Sequence, residues 1–398
     1  MTRSVSPLPL LGGLYTVQGA VFGFATNLLV PFLAVHQVSL EAQTGLLAVA
    51  SFPWVFKLPI AIALDRLRLG AAKVAGVAML GAGALLVMLA GFGDALPTFA
   101  GLALAWFGIN VLLAGQDISA DALAIDAVPE ERRGRANGVM WMAHTLGAAV
   151  VGTMGLGALL TRFGVGAALG GLAIVSVLGG VWALRARIPV VLSTAKGGLA
   201  EVLRAPSTWL LGGLASVFLI ANVGTSALSG AFFVQRLAWP FERLTTTLPI
   251  VVLVGQVVGY GTAAALVDRI GHARSAALGS ALLGAAWAGF GALEFAWSSV
   301  ELLYGFVVVE SVATALLFVG LYAWLMDRVN PRFRATHYAV FMSLLNLPRV
   351  WVPGFAPDAL EALGWSGLFI AAGAFQIVLG ALAWLVGRRG QTPGPTSV

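Results

Sequence analysis

Long apolar stretches separated by short polar loops run along almost the whole 398-residue chain. Each has about 20 residues, the length a helix needs to cross the hydrocarbon core of a bilayer. Backbone polar groups in lipid must pair internally, and barrel strands would need only about ten alternating residues. The pattern therefore predicts an all-α membrane protein with twelve transmembrane helices, at residues 10–34, 42–64, 72–92, 97–124, 135–160, 165–186, 208–235, 243–267, 274–294, 299–325, 335–356 and 364–387.

The composition supports lipid as the solvent of this chain. Charged residues make up 10% of the chain and hydrophobic residues 59%, whereas soluble proteins carry roughly 25% charge. Cysteine is absent, which excludes disulfides and thiolate metal sites. The four histidines are scattered, so no metal site and no cofactor is predicted. The basic residues lie at the ends of the apolar stretches, so nucleic-acid binding is not predicted either.

The basic residues also predict the topology. With the N-terminus in the cytoplasm, cytoplasmic segments carry 18 of the 23 lysines and arginines, opposite loops carry three, and two lie inside spans. Basic residues concentrate in cytoplasmic loops, so both termini are expected there. An excess of arginine over lysine favours a bacterial chain and hence the inner membrane.

Two sequence features recur at half the chain length. Asp65-Arg66 follows the second apolar stretch and Asp268-Arg269 follows the eighth, 268 − 65 = 203 residues later. Asp126 and Asp327 repeat at 327 − 126 = 201. Such repeats are typical of two-bundle transporters. The predicted domains are a six-helix bundle at 1–187, a polar cytoplasmic linker at 188–207, a second six-helix bundle at 208–390 and a disordered tail at 391–398.

The two Asp-Arg loops resemble the loop motif of the major facilitator superfamily, although Ala61 and Ala264 stand where that motif has glycine. The resemblance implies that each aspartate caps a helix end and ties the two bundles together in one conformational state. Gating or structural roles are therefore expected for Asp65, Arg66, Asp126, Arg133, Asp268, Arg269, Asp327 and Arg334.

A second cluster of residues, within 52–140, is more specific. It comprises Phe56-Lys57, Gln116-Asp117-Ile118, Asp121-Ala122 and Arg133-Gly134. It resembles the branch that contains muropeptide permeases, acetyl-coenzyme A transporters and siderophore importers. This resemblance implies uptake of a muropeptide-like, siderophore-like or other anionic or peptide-like solute.

Ionisable residues inside the spans are expected to carry function, because a charge in hydrocarbon costs about 2.5–3.5 kcal/mol on insertion scales. At 1.5 Å per residue, Lys57, Asp117 and His144 each lie roughly 12–13 Å from a cytoplasmic helix end. We predict that Lys57 pairs with Asp117 or with Asp121, one turn further along. The pair is either a proton- or substrate-coupled site or a fixed ion pair. Asp121 and Asp126 are expected in a network with Arg66, Arg133 or Arg135, and His144 is either a hydrogen-bonded packing residue or a proton carrier.

The second half places Glu310 and Arg349 at mid-membrane. A buried arginine binds carboxylate or phosphate bidentately, so Arg349 is predicted to contact an anionic substrate or to pair with Glu310. Further candidates are neutral polar residues, whose alternative role is an interhelical hydrogen bond: Gln18, Asn27, Asn222 and Thr225. Close helix packing is expected at Gly147, Gly152, Gly155, Gly255 and Gly259.

These features predict a secondary transporter that works by alternating access. No Gly-rich phosphate-binding loop of the Walker type occurs, so ATP is not the predicted energy source. Protons are the expected coupling ion because protonatable groups lie inside the spans, and import is favoured by the resemblance to uptake permeases. A proton-antiporting exporter and a non-transporting sensor are the alternatives, and an enzyme is not predicted. The expected partners are a small-molecule substrate, protons and lipid, with the chain a monomer.

Overall fold

The computed structural model of the chain describes residues 7–29, 32–33, 38, 46, 49–50, 52–54, 57–66, 70–95, 97–186, 199–239 and 247–389. Within these residues the regular structure is helical and no strand occurs, as predicted for an all-α protein. The α-helices are α1 Leu8–Phe24, α2 Leu58–Arg66, α3 Ala71–Ala90, α4 Phe99–Ala127, α5 Arg133–Leu146, α6 Leu156–Arg185, α7 Leu199–Arg204, α8 Pro206–Ala231, α9 Thr247–Ile270, α10 His272–Ala292, α11 Val300–Asp327, α12 Arg334–Asn346 and α13 Pro348–Arg389. Short π-helical segments extend α1, α5 and α8, at Ala25–Leu29, Gly147–Gly155 and Phe232–Arg236.

Nine stretches of the described chain are long and apolar enough to cross a membrane, so the protein is a multi-pass membrane protein. One of them, Glu130–Arg185, contains the two predicted spans 135–160 and 165–186. The predicted span 42–64 is described only in part, at residues 46, 49–50, 52–54 and 57–64. The predicted span 335–356 is divided between α12 and the beginning of α13.

Two glycine kinks repeat at the predicted half-chain interval. Gly164 interrupts α6 with φ 83° and Gly364 interrupts α13 with φ 66°, at a spacing of 364 − 164 = 200. Only glycine adopts positive φ without steric cost. At the first kink, the Val165 N–H donates to Asp94 Oδ1 at 2.8 Å, which caps the second part of α6.

The chain divides into two compact units. The first comprises Met1–Glu130, Val139–Thr208 and Val329–Ser343, and the second comprises Glu131–Gly138, Trp209–Arg328 and Leu344–Val398. The boundaries of these units differ from the predicted bundle boundaries in two short segments, 131–138 and 329–343. Each segment packs with the unit formed mainly by the other half of the sequence. The predicted linker contains the short helix α7, while residues 187–198 and the predicted tail lie outside the described residues.

In the first unit, α3 packs against α4 and α6, and α1 packs against the π segment Gly147–Gly155. The last contact brings two backbones together. A Cβ on Gly147 would lie 2.1 Å from the Thr16 carbonyl oxygen, and one on Gly152 would lie 2.4 Å from the Ala20 carbonyl oxygen. Both predicted packing roles are confirmed. The prediction is wrong for Gly155, which meets only a carbonyl of its own segment.

In the second unit, α10 packs against α11 and α13, and α9 packs against α11. The predicted glycines of α9 make the last contact. Gly255 lies against Ser311, and Gly259 lies against Ser311 and Ala315. The absence of side chains at these two positions brings α9 close to the polar face of α11.

Candidate functional site

A polar cluster is buried in the first unit, where α1, α2 and α4 supply its members. Lys57, immediately before α2, forms an ion pair with Asp117 of α4. Lys57 is 4% exposed and Asp117 is 6% exposed. The predicted pairing of these two residues is confirmed.

Two donors from α1 complete the coordination of the carboxylates. Gln18 Nε2 donates to Asp117 Oδ1 at 2.8 Å, and the Tyr15 hydroxyl donates to Asp121 Oδ1 at 3.0 Å. Asp117 and Asp121 share a face of α4 because they are four residues apart. The predicted arginine partners of Asp121 are thus replaced by a tyrosine. The sequence analysis missed Tyr15, although its spacing of three residues from Gln18 places both on one face of α1.

Aromatic side chains surround this polar cluster. The Lys57 ammonium lies 4.7 Å from the centre of the Trp54 ring, within reach of a cation–π interaction. Trp54 Nε1 donates to Asn110 Oδ1 at 2.8 Å. The His144 ring packs against Trp141 and Phe22, at 5.4 and 5.7 Å between ring centres, so it belongs to the aromatic wall of the cluster.

The charge balance of the cluster has a chemical consequence. One ammonium group serves two buried carboxylates, so full ionisation leaves one negative charge in excess. Burial of an uncompensated charge is costly, and a proton on either carboxylate removes the excess. The cluster therefore combines one fixed ion pair with one carboxylate that has no cation of its own.

The second unit contains a cavity of about 430 Å³ between α8, α9, α11 and the middle of α13. Asn222, Thr225 and Glu310 line it, so the structure brings together three residues that the sequence proposed separately. Trp287 Nε1 donates to Glu310 Oε1 at 2.9 Å. Lining residues that the sequence analysis missed are Gln256, Tyr260, Ser311, Thr314 and the aromatic residues Phe232, Phe306, Trp365 and Phe369.

Arg349 and Asn27 lie elsewhere. Arg349 is exposed near the beginning of α13, and its Nε donates to Asn346 Oδ1 at 3.1 Å. The predicted pair between Arg349 and Glu310 is wrong, because each side chain has a different partner. Asn27 Nδ2 donates to Thr153 Oγ1 at 2.9 Å, which is the interhelical hydrogen bond named as its alternative role.

Comparison with known families and structures defines the class of the protein. The sequence profile of the Major Facilitator Superfamily matches residues 15–265. The chain belongs to this superfamily. It is therefore a secondary transporter in the general sense, and the predicted fold class is confirmed.

Solved structures of superfamily members share the fold. A proton:xylose symporter superposes with a TM-score of 0.74 at 12% identity, over 96% of this chain and 96% of the symporter. The human organic anion transporter gives 0.70 at 17% identity, over 96% and 99% of the two chains. A bacterial homologue of the iron transporter ferroportin gives 0.67 at 18% identity, over 96% and 98%.

Residues of the superfamily loop motif form a network in the second unit. The backbone N–H groups of Gly134 and Arg135 donate to the Asp268 carboxylate at 2.7 and 3.0 Å. Asp268 thus caps the beginning of α5, as the resemblance implied. His272 bridges Asp268 and Asp327, at 3.3 Å from Asp268 Oδ1 and 2.6 Å from Asp327 Oδ2.

Two of the four arginines in the expected gating set form ion pairs with aspartates. Arg133 Nη1 donates to Asp327 Oδ1 at 2.8 Å, within the second unit, and Arg334 pairs with Asp126 within the first. Arg334 is thus a partner of Asp126 that the predicted network with Arg66, Arg133 or Arg135 did not include. Arg269 is exposed. The backbone of Asp65 and Arg66 closes α2, but their side chains lie outside the described part of the chain.

Proposed function

We propose that this transporter imports a small organic solute together with protons, and that Asp117 and Asp121 are its proton acceptors. The observation that carries the proposal is the buried cluster of one ammonium and two carboxylates. Lys57 is the counter-ion, and Gln18 and Tyr15 hold the carboxylates in place. Buried charges cost free energy unless they are paired. A helix bundle without a proton-binding role would therefore not need three ionisable groups in its core.

Protonation of the cluster changes its contacts. A proton on Asp117 weakens its attraction to Lys57, which is then free to turn toward Asp121 or toward water. A ligand or proton shifts a conformational equilibrium by its differential affinity for the two states. The cluster supplies this differential affinity if Asp117 is protonated in one conformational state of the transporter and paired with Lys57 in the other.

The direction of transport is inferred from the sequence. The residues within 52–140 that resemble uptake permeases favour import. The concentration of basic residues favours the bacterial inner membrane with both termini in the cytoplasm. The assignment to the muropeptide, acetyl-coenzyme A and siderophore branch belongs to this proposal and rests on the same residues.

A second candidate is a proton-antiporting exporter. The observation in its favour is Glu310, a carboxylate in a cavity with aromatic walls. A carboxylate that binds either a proton or a cationic solute exchanges one for the other, which is the chemistry of antiport.

Proteoliposomes with an imposed pH gradient separate the two candidates. The purified protein is reconstituted and offered a panel of labelled solutes: a muropeptide, a ferric siderophore, a sugar and a tertiary amine. Acid outside drives accumulation by a symporter, and acid inside drives it by an antiporter. This sign does not depend on the orientation in which the protein inserts.

Variants of the cluster test its role. We expect Lys57→Ala and Asp117→Asn to abolish gradient-driven accumulation while solute exchange without a gradient continues. Lys73→Ala and Asp358→Asn are matched controls, since both side chains are exposed, and they should accumulate solute normally. Concentrative uptake by both cluster variants would defeat the proposed coupling role.

A further inference from the structure

The cavity of the second unit has the size of a small-molecule site. Its volume of about 430 Å³ lies within the range of roughly 300–1,000 Å³ that is usual for such sites. Its lining residues all belong to the second unit.

The charged side chain that lines this cavity is acidic. Glu310 is the carboxylate among its lining residues, and no lysine, arginine or histidine is found among them. Trp287 Nε1 donates to Glu310 Oε1 at 2.9 Å, which orients the carboxylate and leaves Oε2 for a further donor. An anionic group beside Glu310 would be repelled by its carboxylate. Arg349 acts electrostatically on Tyr260 of the lining but is not itself a lining residue.

The hydroxyl groups of the lining add acceptors. The Thr225 hydroxyl donates to the carbonyl oxygens of Ala221 and Asn222 at 3.0 and 3.1 Å. The Ser229 hydroxyl donates to the carbonyl oxygen of Ser226 at 2.9 Å. Since their protons are engaged by the backbone, these two hydroxyls offer oxygen lone pairs to a ligand. These lone pairs add partial negative charge to the lining, in addition to the Glu310 carboxylate.

The aromatic lining suits an apolar body with a positive charge. Phe232 contacts Trp365 and Phe369 edge to face, at 5.2 and 5.3 Å between ring centres. Phe306 lies on the same wall, 6.1 Å from Phe369. Aromatic faces attract cations by about 0.5–2 kcal/mol, and the rings bury apolar groups.

We propose that this cavity binds an amphipathic organic cation, a protonated or quaternary amine with an aromatic or aliphatic body, and that such cations are the cargo class. The inference rests on the proposed transport function and deepens it. It departs from the anionic solute predicted from Arg349, because Arg349 lies outside the cavity lining.

Equilibrium dialysis of the purified full-length protein in detergent tests the proposal. The probes are tetraphenylphosphonium and tetraphenylborate, two ions of matched shape and opposite charge. We expect saturable binding of the cation and none of the anion, after subtraction of a detergent-only chamber. Saturable binding of both ions with similar affinity, or of neither ion, would overturn the proposal.

Two substitutions on α11 assign the charge effect. Glu310→Gln should weaken cation binding about tenfold to a hundredfold, the range for loss of a charged contact, while the amide oxygen still accepts from Trp287. Glu301→Gln is the matched control on the same helix, exposed and outside the cavity lining, and should bind normally. Unchanged binding by Glu310→Gln would refute the role of this carboxylate.

A second variant covers loss of folding. If Glu310→Gln aggregates, Phe306→Leu should still lower cation affinity and leave tetraphenylborate unbound, and unchanged affinity would refute the aromatic contact. The assay uses no gradient, so a negative result leaves the proton-coupling proposal intact. Conversely, a protein that binds the cation normally but accumulates no solute would refute the coupling proposal and leave the assignment of the cavity unchanged.

Discussion

Replacement of Lys57 by methionine tests the buried cluster most directly. The substitution keeps a long side chain that packs on Trp54 but removes the ammonium group. Asp117 then retains only the Gln18 hydrogen bond, and no cation remains for either carboxylate of the cluster. We expect a large loss of stability at neutral pH.

The magnitude follows from the burial of both partners. Lys57 and Asp117 are 4% and 6% exposed, and removal of one partner of such a pair costs about 3–5 kcal/mol. In a unit of about 200 residues, 1 kcal/mol corresponds to roughly 2–4 °C in melting temperature. The variant should therefore melt about 6–20 °C below the parent protein by the same scaling.

The loss should depend on the second partner. Asp117→Asn should cost less than Lys57→Met, because Lys57 keeps Asp121 within one helical turn of its former partner. The double variant should recover most of the loss, since removal of both charges leaves no unpaired ion.

Intrinsic tryptophan fluorescence measures the melting temperature. The chain has 12 tryptophans and no cysteine, so thiol-reactive dyes would report nothing. Lys73→Met, at an exposed lysine, is the control for loss of one positive charge. A melting temperature of Lys57→Met within about 2 °C of the parent, a shift below 1 kcal/mol, would show that the buried carboxylates do not need the Lys57 ammonium group.

Three further predictions concern packing, capping and Arg349. Gly147→Val should prevent stable folding, because its Cβ would lie 2.1 Å from the Thr16 carbonyl oxygen. Gly170→Val meets open space and should cost little. Size-exclusion profiles compare the two variants, and equal profiles would contradict the close contact at Gly147. Asp268→Ala should cost about 0.5–2 kcal/mol through loss of the cap on α5. The loss is measured as a lower melting temperature, and an unshifted melting curve would disprove the cap. Arg349→Lys should leave tetraphenylphosphonium affinity unchanged in dialysis, and a tenfold loss would return Arg349 to the ligand site.

Much of the first cluster could be predicted from the sequence. An ionisable residue in an apolar stretch needs a partner or water. Lys57 and Asp117 have matching depths, and Asp121 lies one turn further along the same helix as Asp117. Tyr15 was missed because a tyrosine in an apolar stretch is common, and only the approach of α1 to α4 shows that its hydroxyl meets a carboxylate.

The prediction for Arg349 shows the opposite limit. Its depth was estimated by counting residues from Arg334 along one continuous helix. In the structure α12 ends at Asn346 and α13 begins at Pro348, so the count crosses a break. Pro348 cannot donate a backbone hydrogen bond, and the side chain after it lies outside the cavity.

The sequence alone determined that the chain is helical and membrane-embedded, that it repeats after about 200 residues, and that charged groups lie within its spans. These properties follow from hydropathy, helix rise and spacing, which are local along the chain. The tertiary structure decided which of those groups meet, where the cavity lies, and that segments 131–138 and 329–343 pack with the opposite half of the sequence. Such contacts depend on how closely neighbouring helices approach, and that distance is determined by glycines and side-chain volumes on two helices at once.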